Sequence, residues 1–190
     1  MKNLKSVLFI SRNKDNKNIK DFKERKFTFL TDKIESISDT IKLKNQFLNF
    51  VNEGQEGEVS RFYVSINDRN AEKINKQLTH YLIDNPETNP AKIMSKTTSI
   101  ASKIECAVTK KWLFDFDIDE VNYAHIFLND ISKMSGIPFD EIIKHRTKNG
   151  YAFIVPHGFD TRELLEKWNK DKHVVEVKRD ELLLVDWRTK

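Results

Sequence analysis

The chain is poor in the residues on which several common classes of protein depend. Cys106 is its only cysteine, so a disulfide framework and a thiolate metal cluster are both excluded. Glycine and proline are sparse, at five and four residues, and no Gly-rich phosphate loop or nucleophile elbow occurs. No apolar run approaches the roughly 18 residues of a transmembrane helix, and the N-terminus lacks a signal-peptide core. We therefore expect a cytoplasmic protein with no membrane partner.

Charge, by contrast, is abundant and unevenly placed. The 190 residues are 33% charged and 38% hydrophobic, with a formal net charge of +4. Residues 1–26 carry many lysines and arginines and few acids. The length suits one compact domain or a core with a smaller appendage, and the mild basicity is compatible with a nucleic-acid partner.

The first 110 residues are predicted to be mostly helical, with two or three strands. Strands are expected over 6–12 and 61–66, separated by a basic loop over 13–26 and by a helix running from Asp32 to Gly54. Two more helices follow, the second starting at Asn89-Pro90. This part is divided into a unit over 1–58 and a unit over 59–110. The apolar face of the first helix is predicted from spacing to consist of Ile34, Ile37, Ile41, Leu48 and Val51.

The second half, 111–190, has a more regular pattern. A strand over 111–118 precedes a helix over 120–135, and strands over 141–146 and 151–155 flank Asn149-Gly150, a strong hairpin signal. A helix after Asp160 and strands over 174–177 and 182–187 complete the order β-α-β-β-α-β plus one strand. This order predicts a ferredoxin-like or RRM-like arrangement. The whole chain is then an α+β protein whose C-terminal half packs on a mostly helical N-terminal half.

Three aspartates alternate with large apolar residues in the segment 112–119: Asp115, Asp117 and Asp119. Alternate side chains of a strand share one face, so the three carboxylates are expected on one side and the apolar residues on the other. Carboxylates aligned in this way suit hard divalent cations, and Asp115 and Asp117 are the predicted metal ligands of a site for phosphoryl or nucleotidyl transfer. The alternative is an acidic, half-exposed strand face, with Asp119 capping the helix that follows.

The hairpin over 147–151 is the predicted phosphate contact. Lys148, Asn149 and the backbone amides around Gly150 would meet nucleotide phosphates, although an ordinary hairpin with a lysine in its turn fits the same residues. His145, on the preceding strand, is a further candidate for approaching phosphates, with a solvated surface histidine as the alternative.

A third carboxylate would complete a two-metal site, and two late aspartates qualify. Asp180 is a candidate that also fits a simple turn residue. Asp186 lies in an apolar strand, where a buried charge needs a partner.

A basic, aromatic segment near residue 65 is the predicted nucleic-acid contact. Arg61 and Arg69 bracket an aromatic strand, and Lys73 follows. These residues would form a phosphate-contacting surface with a stacking platform. A core strand with solvated flanking arginines is the alternative.

Taken in order, three elements resemble the catalytic core of the archaeo-eukaryotic primase superfamily, including the small primase-polymerase-like proteins of phages and plasmids. They are the hhDhD strand ending at Asp117, the T-x-N-G-Y hairpin over 147–151, and a late acidic strand with Asp180 or Asp186. The resemblance implies an aspartate pair that binds Mg²⁺ or Mn²⁺, a hairpin that contacts nucleotide phosphates and a third acidic ligand. It also implies an RRM-like catalytic half. The implied partners are nucleotides, single-stranded nucleic acid or primer-template, and a replication or host protein, in the host cytoplasm if the protein is phage-encoded.

The chain departs from this family where a histidine normally follows the hairpin glycine. The positions after Gly150 are Tyr151, Ala152 and Phe153. A catalytically lapsed RRM-like protein that binds nucleic acid or a host protein is therefore the main alternative.

Two further enzyme classes are open. A phosphatase of the HAD type also uses an hhhDxD strand, but it requires parallel strands. A metal-dependent nuclease of the PD-(D/E)xK type is suggested by Glu176-Val177-Lys178, although the order of its acidic strands is reversed relative to Asp115.

Overall fold

The computed structural model describes residues 3–32 and 37–190, without the side chain of Ile37. Within these residues the protein is α+β, with five α-helices and two antiparallel sheets. The chain forms two compact units, one over 1–108 and 184–190 and the other over 109–183. The elements in chain order are β1 (Asn3–Ser11), β2 (Arg25–Asp32), α1 (Ile37–Asn52), β3 (Val59–Ser65), β4 (Arg69–Asn70), α2 (Ala71–Asp84), α3 (Ile93–Ala101), β5 (Trp112–Phe116), α4 (Val121–Ser135), β6 (Ile143–Arg146), β7 (Tyr151–Val155), α5 (Arg162–Asn169), β8 (Val175–Lys178) and β9 (Leu182–Thr189).

The first unit is built around a sheet of order β2-β1-β3-β9, with β4 pairing with β1. Successive side chains of β1 point to opposite faces of the sheet, because a strand has a period of two residues. Phe9 packs with Phe47 of α1 and Phe62 of β3. Leu4, of opposite parity, packs with a cluster that includes Ile74 of α2 and residues of α3. The sheet therefore has α1 on one face and α2 and α3 on the other.

The prediction of a mostly helical first half is not confirmed, because the sheet is the centre of this unit. Strand β2 was not predicted, since its basic, polar beginning continues the composition of the loop before it. In the structure β2 pairs with β1 over eight residue pairs, from Leu4↔Asp32 to Ser11↔Arg25. Long-range pairing with a strongly apolar neighbour thus decides the conformation of a segment whose local composition favours a loop.

The apolar face predicted for α1 is confirmed at Val51, which is 5% exposed, and wrong at Ile41 and Leu48. Ile41 and Leu48 are 53% and 44% exposed, whereas Leu43 and Phe47 are 4% and 0% exposed. The helix carries two apolar stripes, and the stripe with the larger aromatic residues is buried because rings remove more apolar area from water. Ile34, which belongs to the same predicted face, lies outside the described residues.

The second unit confirms most of the elements predicted for 111–183. Its sheet has the order β6-β7-β5-β8, and all three pairings are antiparallel. Helices α4 and α5 cover one face, where Phe116 stacks on Phe127 with ring centroids 4.6 Å apart and meets Trp168 edge-on at 5.3 Å. Phe114 and Phe116 have no exposed surface. The apolar side of the 112–119 segment is thus the core side, and β5 is an inner strand.

Among the described residues, no helix has the length and apolar character needed to cross a membrane.

Candidate functional site

Asp115 lies on the face of β5 that is opposite the aromatic core. Its side chain is 33% exposed, and Asp117, one residue beyond the end of the strand, is exposed. The predicted alternation is therefore confirmed for Asp115, whose neighbours Phe114 and Phe116 point into the core.

Sheet pairing places Glu176 of β8 directly opposite Asp115. Residues facing each other in an antiparallel pair have Cβ atoms about 4.5–5.5 Å apart and side chains on the same face. Lys178 projects from the same face of β8, two residues further along. Its Nζ lies 3.0 Å from Asp115 Oδ2 and 3.3 Å from Glu176 Oε2. The site is therefore a lysine held between two carboxylates, with a third carboxylate, Asp117, beyond them.

The electrostatics of the cluster follow from this arrangement. Although Asp117 is exposed, the protein around it partly desolvates its carboxyl and raises its pKa, and the negative charges of Asp115 and Glu176 raise the pKa further against the opposing effect of Lys178. Burial alone would lower the pKa of Lys178, but hydrogen bonds and charge attraction from Asp115 and Glu176 outweigh it and the pKa is raised. Excess negative charge thus remains around Asp117, which is the condition under which a cation is attracted.

Removing the charge of Asp115 is expected to lower the pKa of Asp117. Asp115→Asn keeps the shape of the side chain but eliminates the repulsion between the two carboxylates. The measurement is a carboxyl-detected NMR titration of Asp117 in both proteins, with Asp140→Asn, an exposed position in the same unit, as the control. A pKa of Asp117 that is the same in Asp115→Asn and in the wild type would show that the carboxylates do not interact.

Asp119 belongs to a different contact. The residue that caps α4 is Glu120, which makes no side-chain capping hydrogen bond, so the predicted cap at Asp119 is wrong. Asp119 instead forms an ion pair with Arg146 of β6, and the Arg146 guanidinium also donates to the Asp119 carbonyl at 3.3 Å. This pair joins the end of β5 to the end of β6 at the surface.

The hairpin predicted at Asn149-Gly150 is present, but its glycine has a packing role. Thr147 N donates to Gly150 O at 3.0 Å and closes the turn. A Cβ at position 150 would lie 2.1 Å from the carbonyl oxygen of Phe116, so only glycine permits this approach of the turn to the end of β5. Lys148 and Asn149 are exposed at the tip, where their side chains are accessible to a ligand.

His145 shares the face that carries Asp115. His145 and Asp115 both pair with Ala152, from the strands on either side of it. The small side chain of Ala152 therefore lies between them, and His145 and Asp115 are two strand spacings apart. His145 is half-buried. A histidine therefore does lie on the carboxylate face, on the strand before the hairpin rather than after its glycine.

The two late aspartates occupy different places. Asp180 lies in the bend between β8 and β9 with a φ of 137°, a backbone conformation that favours glycine. Asp186 lies in the part of β9 that belongs to the first unit. Its side chain is 20% exposed and is paired with Arg188 at 3.2 Å, the partner that its setting required. The acidic residue directly opposite Asp115 is Glu176.

The basic residues predicted to contact nucleic acid are mostly engaged within the first unit. Arg69 is 2% exposed, so it does not lie on an accessible surface. Arg61 is 13% exposed and paired with Asp15. Lys73 is exposed, and its Nζ donates to the carbonyl of Glu105 at 3.1 Å. The expected surface contact thus does not hold for Arg69, and Arg61 has an internal partner.

Glu176 and Lys178 are the site residues that sequence reasoning did not assign to the Asp115 face. The available signal was their spacing of two on a strand, which puts both side chains on one face. The order of the acidic strands along the chain argued against placing Glu176 and Lys178 at this site. That order does not matter once β8 pairs antiparallel with β5.

The carboxylates fit a cation only in part. Among the described residues, no group of three or more histidine, cysteine, aspartate or glutamate side chains is placed to hold a metal ion. Mg²⁺, however, is commonly bound by one or two protein carboxylates together with substrate phosphates and water. Asp115 and Glu176 face each other across the pairing of β5 with β8, and both lie close enough to Asp117 to raise its pKa.

The chain matches no protein-family model, no curated protein and no solved structure.

Proposed function

We propose that the protein is a primase-polymerase-like nucleotidyltransferase whose second unit is a ferredoxin-like, RRM-like half. The strand order β8-β5-β7-β6 with α4 and α5 on one face supports this topology. The observation that carries the proposal is the pair of facing carboxylates, Asp115 and Glu176, on the sheet face opposite the helices, with Asp117 just beyond the end of the same strand. One or two carboxylates together with substrate phosphates commonly bind Mg²⁺, an ion that catalyses phosphoryl transfer.

Each residue then has a defined task. Asp115 and Asp117 would hold Mg²⁺ or Mn²⁺, and the bound ion would neutralise charge on the phosphates and polarise them. Lys178 supplies a fixed positive charge at the same face, where it attracts an anionic substrate. Exposed Lys148 and the turn amides would contact the remaining phosphates. Nucleotides and single-stranded nucleic acid or primer-template are the proposed partners, in the cytoplasm, together with a replication or host protein.

Metal binding itself tests the proposal before any activity does. We expect Mn²⁺ to broaden the NMR signals of residues near Asp115 in the wild type. Asp115→Asn and Asp117→Asn should each weaken Mn²⁺ affinity by roughly 10- to 100-fold, since outer-shell changes alone cause losses of that size. Asp140→Asn is the matched control, because that carboxylate is exposed and lies in the same unit. Equal Mn²⁺ affinity in the wild type and the three variants would contradict the proposed metal site.

Nucleotide addition on a single-stranded template is the functional measurement. The wild type with Mn²⁺ or Mg²⁺ should extend a primer or form a dinucleotide, and both substitutions should abolish the product. Template-directed synthesis that persists in Asp115→Asn would contradict the assignment of the site.

Phosphodiester hydrolysis is the second candidate, favoured by the contacts of Lys178. An aspartate, a glutamate two residues before a lysine and the lysine itself form the acidic and basic set of PD-(D/E)xK-type nucleases. The test is cleavage of a labelled oligonucleotide. Cleavage activity that is lost in Glu176→Gln and Lys178→Met but kept in Asp117→Asn would favour hydrolysis over nucleotidyl transfer. The HAD-type phosphatase finds no support, because the sheet pairings that involve β5 are antiparallel.

A lapsed, non-enzymatic member is the remaining alternative. Two features favour it: the ammonium of Lys178 lies 3.0 Å from Asp115 and neutralises it, and the three residues directly after Gly150 include no histidine. The face positions of the two inner strands are Leu113, Asp115, Ala152 and Ile154, none of which is aromatic. Base stacking on this sheet face, as in RNA-binding RRM domains, is therefore unsupported, and a binding role would need another surface.

A further inference from the structure

A lysine occurs at every third position over 14–26, in the connection from β1 to β2. We call residues 12–26 the lysine segment. All five of these lysines are exposed, and among the residues that the structure describes none of them is in a salt bridge. They are Lys14, Lys17, Lys20, Lys23 and Lys26.

The lysine segment concentrates the charge of the chain. It holds seven lysines and arginines against three acids, a net charge of +4, which equals the formal net charge of all 190 residues. Arg12 is paired with Asp15 and Arg25 with Glu58. The charge that remains accessible is therefore carried by the five lysines, opposed only by Asp21 and Glu24.

Buried contacts hold the segment in place. Asn16 is 3% exposed, and its side chain donates to the carbonyl of Val59 at 3.0 Å and accepts from the Val59 amide at 2.6 Å. Asp15 is bound by Arg12 at 2.9 Å and by Arg61. Burial alone would raise the pKa of Asp15, but the hydrogen bonds from the two arginines outweigh it and lower the pKa. The start of the segment is thus fixed while its lysines are exposed, which reduces the entropy lost on binding.

An exposed aromatic ring adjoins the end of the lysine segment. Phe27 of β2 is 51% exposed. It faces Phe9 across the pairing of β1 with β2, with ring centroids 6.2 Å apart, so its ring lies on the α1 face of the sheet. A ring exposed in this way can stack on a nucleobase.

We infer that the lysine segment binds the phosphodiester backbone of single-stranded nucleic acid and that the exposed ring of Phe27 stacks on one of its bases. Lysines supply the phosphate contacts, and an aromatic ring supplies the stacking typical of single-strand binding. The exposed Asn13 and Asn18 between the lysines add hydrogen-bond donors for phosphate oxygens. An anionic membrane is less well matched, because Ile19 and Phe22 are half-buried and leave no apolar wedge on the segment.

Salt-dependent affinity tests this inference without using the metal site. Fluorescence anisotropy of a labelled 30-nucleotide single strand is measured in EDTA between 50 and 300 mM salt. Replacing all five lysines by glutamine should flatten the slope of log affinity against log salt by about 0.7 for each lysine removed. At 100 mM salt the affinity should fall by at least 100-fold. The control replaces five other exposed lysines, at positions 42, 44, 76, 92 and 110, by glutamine, which changes the net charge equally.

The expected result is a large loss in the lysine-segment variant and a small one in the control. Equal losses in the two variants would overturn the inference, since only net charge would then matter. Binding to anionic vesicles but not to the oligonucleotide would overturn it as well. Phe27→Ala should weaken binding of the single strand by about tenfold and leave duplex affinity unchanged. No loss of affinity in Phe27→Ala would show that no base stacks on this ring. Because the affinity is measured in EDTA, it does not depend on the metal site, so failure of the metal site and failure of the lysine segment are separable.

Discussion

Gly150→Ala is expected to lower the free energy of unfolding by about 3 kcal/mol, the upper end of the usual cost of overpacking. The added Cβ would lie 2.1 Å from the carbonyl oxygen of Phe116 and 3.0 Å from the backbone nitrogen and oxygen of Ile118. All three contacts are backbone atoms at the end of β5, so no side chain can turn away to relieve them. The turn must therefore move, and with it the pairing of β7 with β5. The measurement is chemical denaturation followed by tryptophan fluorescence.

Gly57→Ala is the matched control for this substitution. Gly57 has a φ of +77°, and no atom lies within 4 Å of the point that a Cβ would occupy, so alanine there is strained by backbone conformation alone, at about 1–2 kcal/mol. A destabilisation by Gly150→Ala no larger than that of Gly57→Ala would mean that the turn tolerates the contact. It would also remove the steric reason for a glycine in the hairpin and leave phosphate binding as its explanation.

Glu58→Gln is expected to lower the free energy of unfolding by about 3 kcal/mol at pH 7, as for other broken buried ion pairs. Glu58 is 1% exposed. Its Oε1 accepts from Arg25 at 2.9 Å and 2.5 Å, and its Oε2 accepts from the Gln55 amide at 2.8 Å. Both oxygens face donors, so an amide nitrogen in place of either one sets a donor against a donor. Glu56→Gln, at an exposed position in the same loop, is the control and should have little effect.

The stability contributed by Glu58 should depend on pH. Burial would raise its pKa, but hydrogen bonds from Ser11, the Gln55 amide and Arg25, with the charge of Arg25, outweigh burial and lower the pKa below 4.5. A carboxyl with a lowered pKa in the folded state stabilises the protein above its unfolded pKa, and this stabilisation is lost as the pH falls through the folded value. The difference between wild type and Glu58→Gln should therefore shrink in acid. A difference that is constant from pH 7 to pH 3 would show that the charge of Glu58 contributes nothing.

The contacts of Glu58 and those of the lysine segment are parts of one arrangement within the first unit. Arg25, at the end of the lysine segment, is held by Glu58, while Asn16 and Asp15 hold its beginning. We accordingly expect Glu58→Gln to weaken binding of single-stranded nucleic acid as well, by loosening a surface that the wild type holds in place.

Two features of the candidate site could be predicted from the local sequence pattern alone. The alternation of aspartates with phenylalanines was enough to place Asp115 on one face of β5 and Phe114 and Phe116 on the other, because a strand has a period of two whatever its partners are. The hairpin at Asn149-Gly150 was equally local. By contrast, nothing local distinguishes Asp119 as a partner of Arg146 from Asp119 as a helix cap, since both uses need only a carboxylate near the start of α4.

The sequence by itself determined the elements of the second unit and the face on which its carboxylates lie, because strand period, hairpin turns and helix stops are encoded within a few residues. Tertiary structure alone decided that β2 is a strand, which stripe of α1 is buried, that Arg69 is inaccessible, and that Glu176 and Lys178 meet Asp115. Each of these depends on pairing or packing between segments far apart in the chain. Local propensity is too weak to fix such choices, and the apolar area removed from water and the available backbone partners settle them.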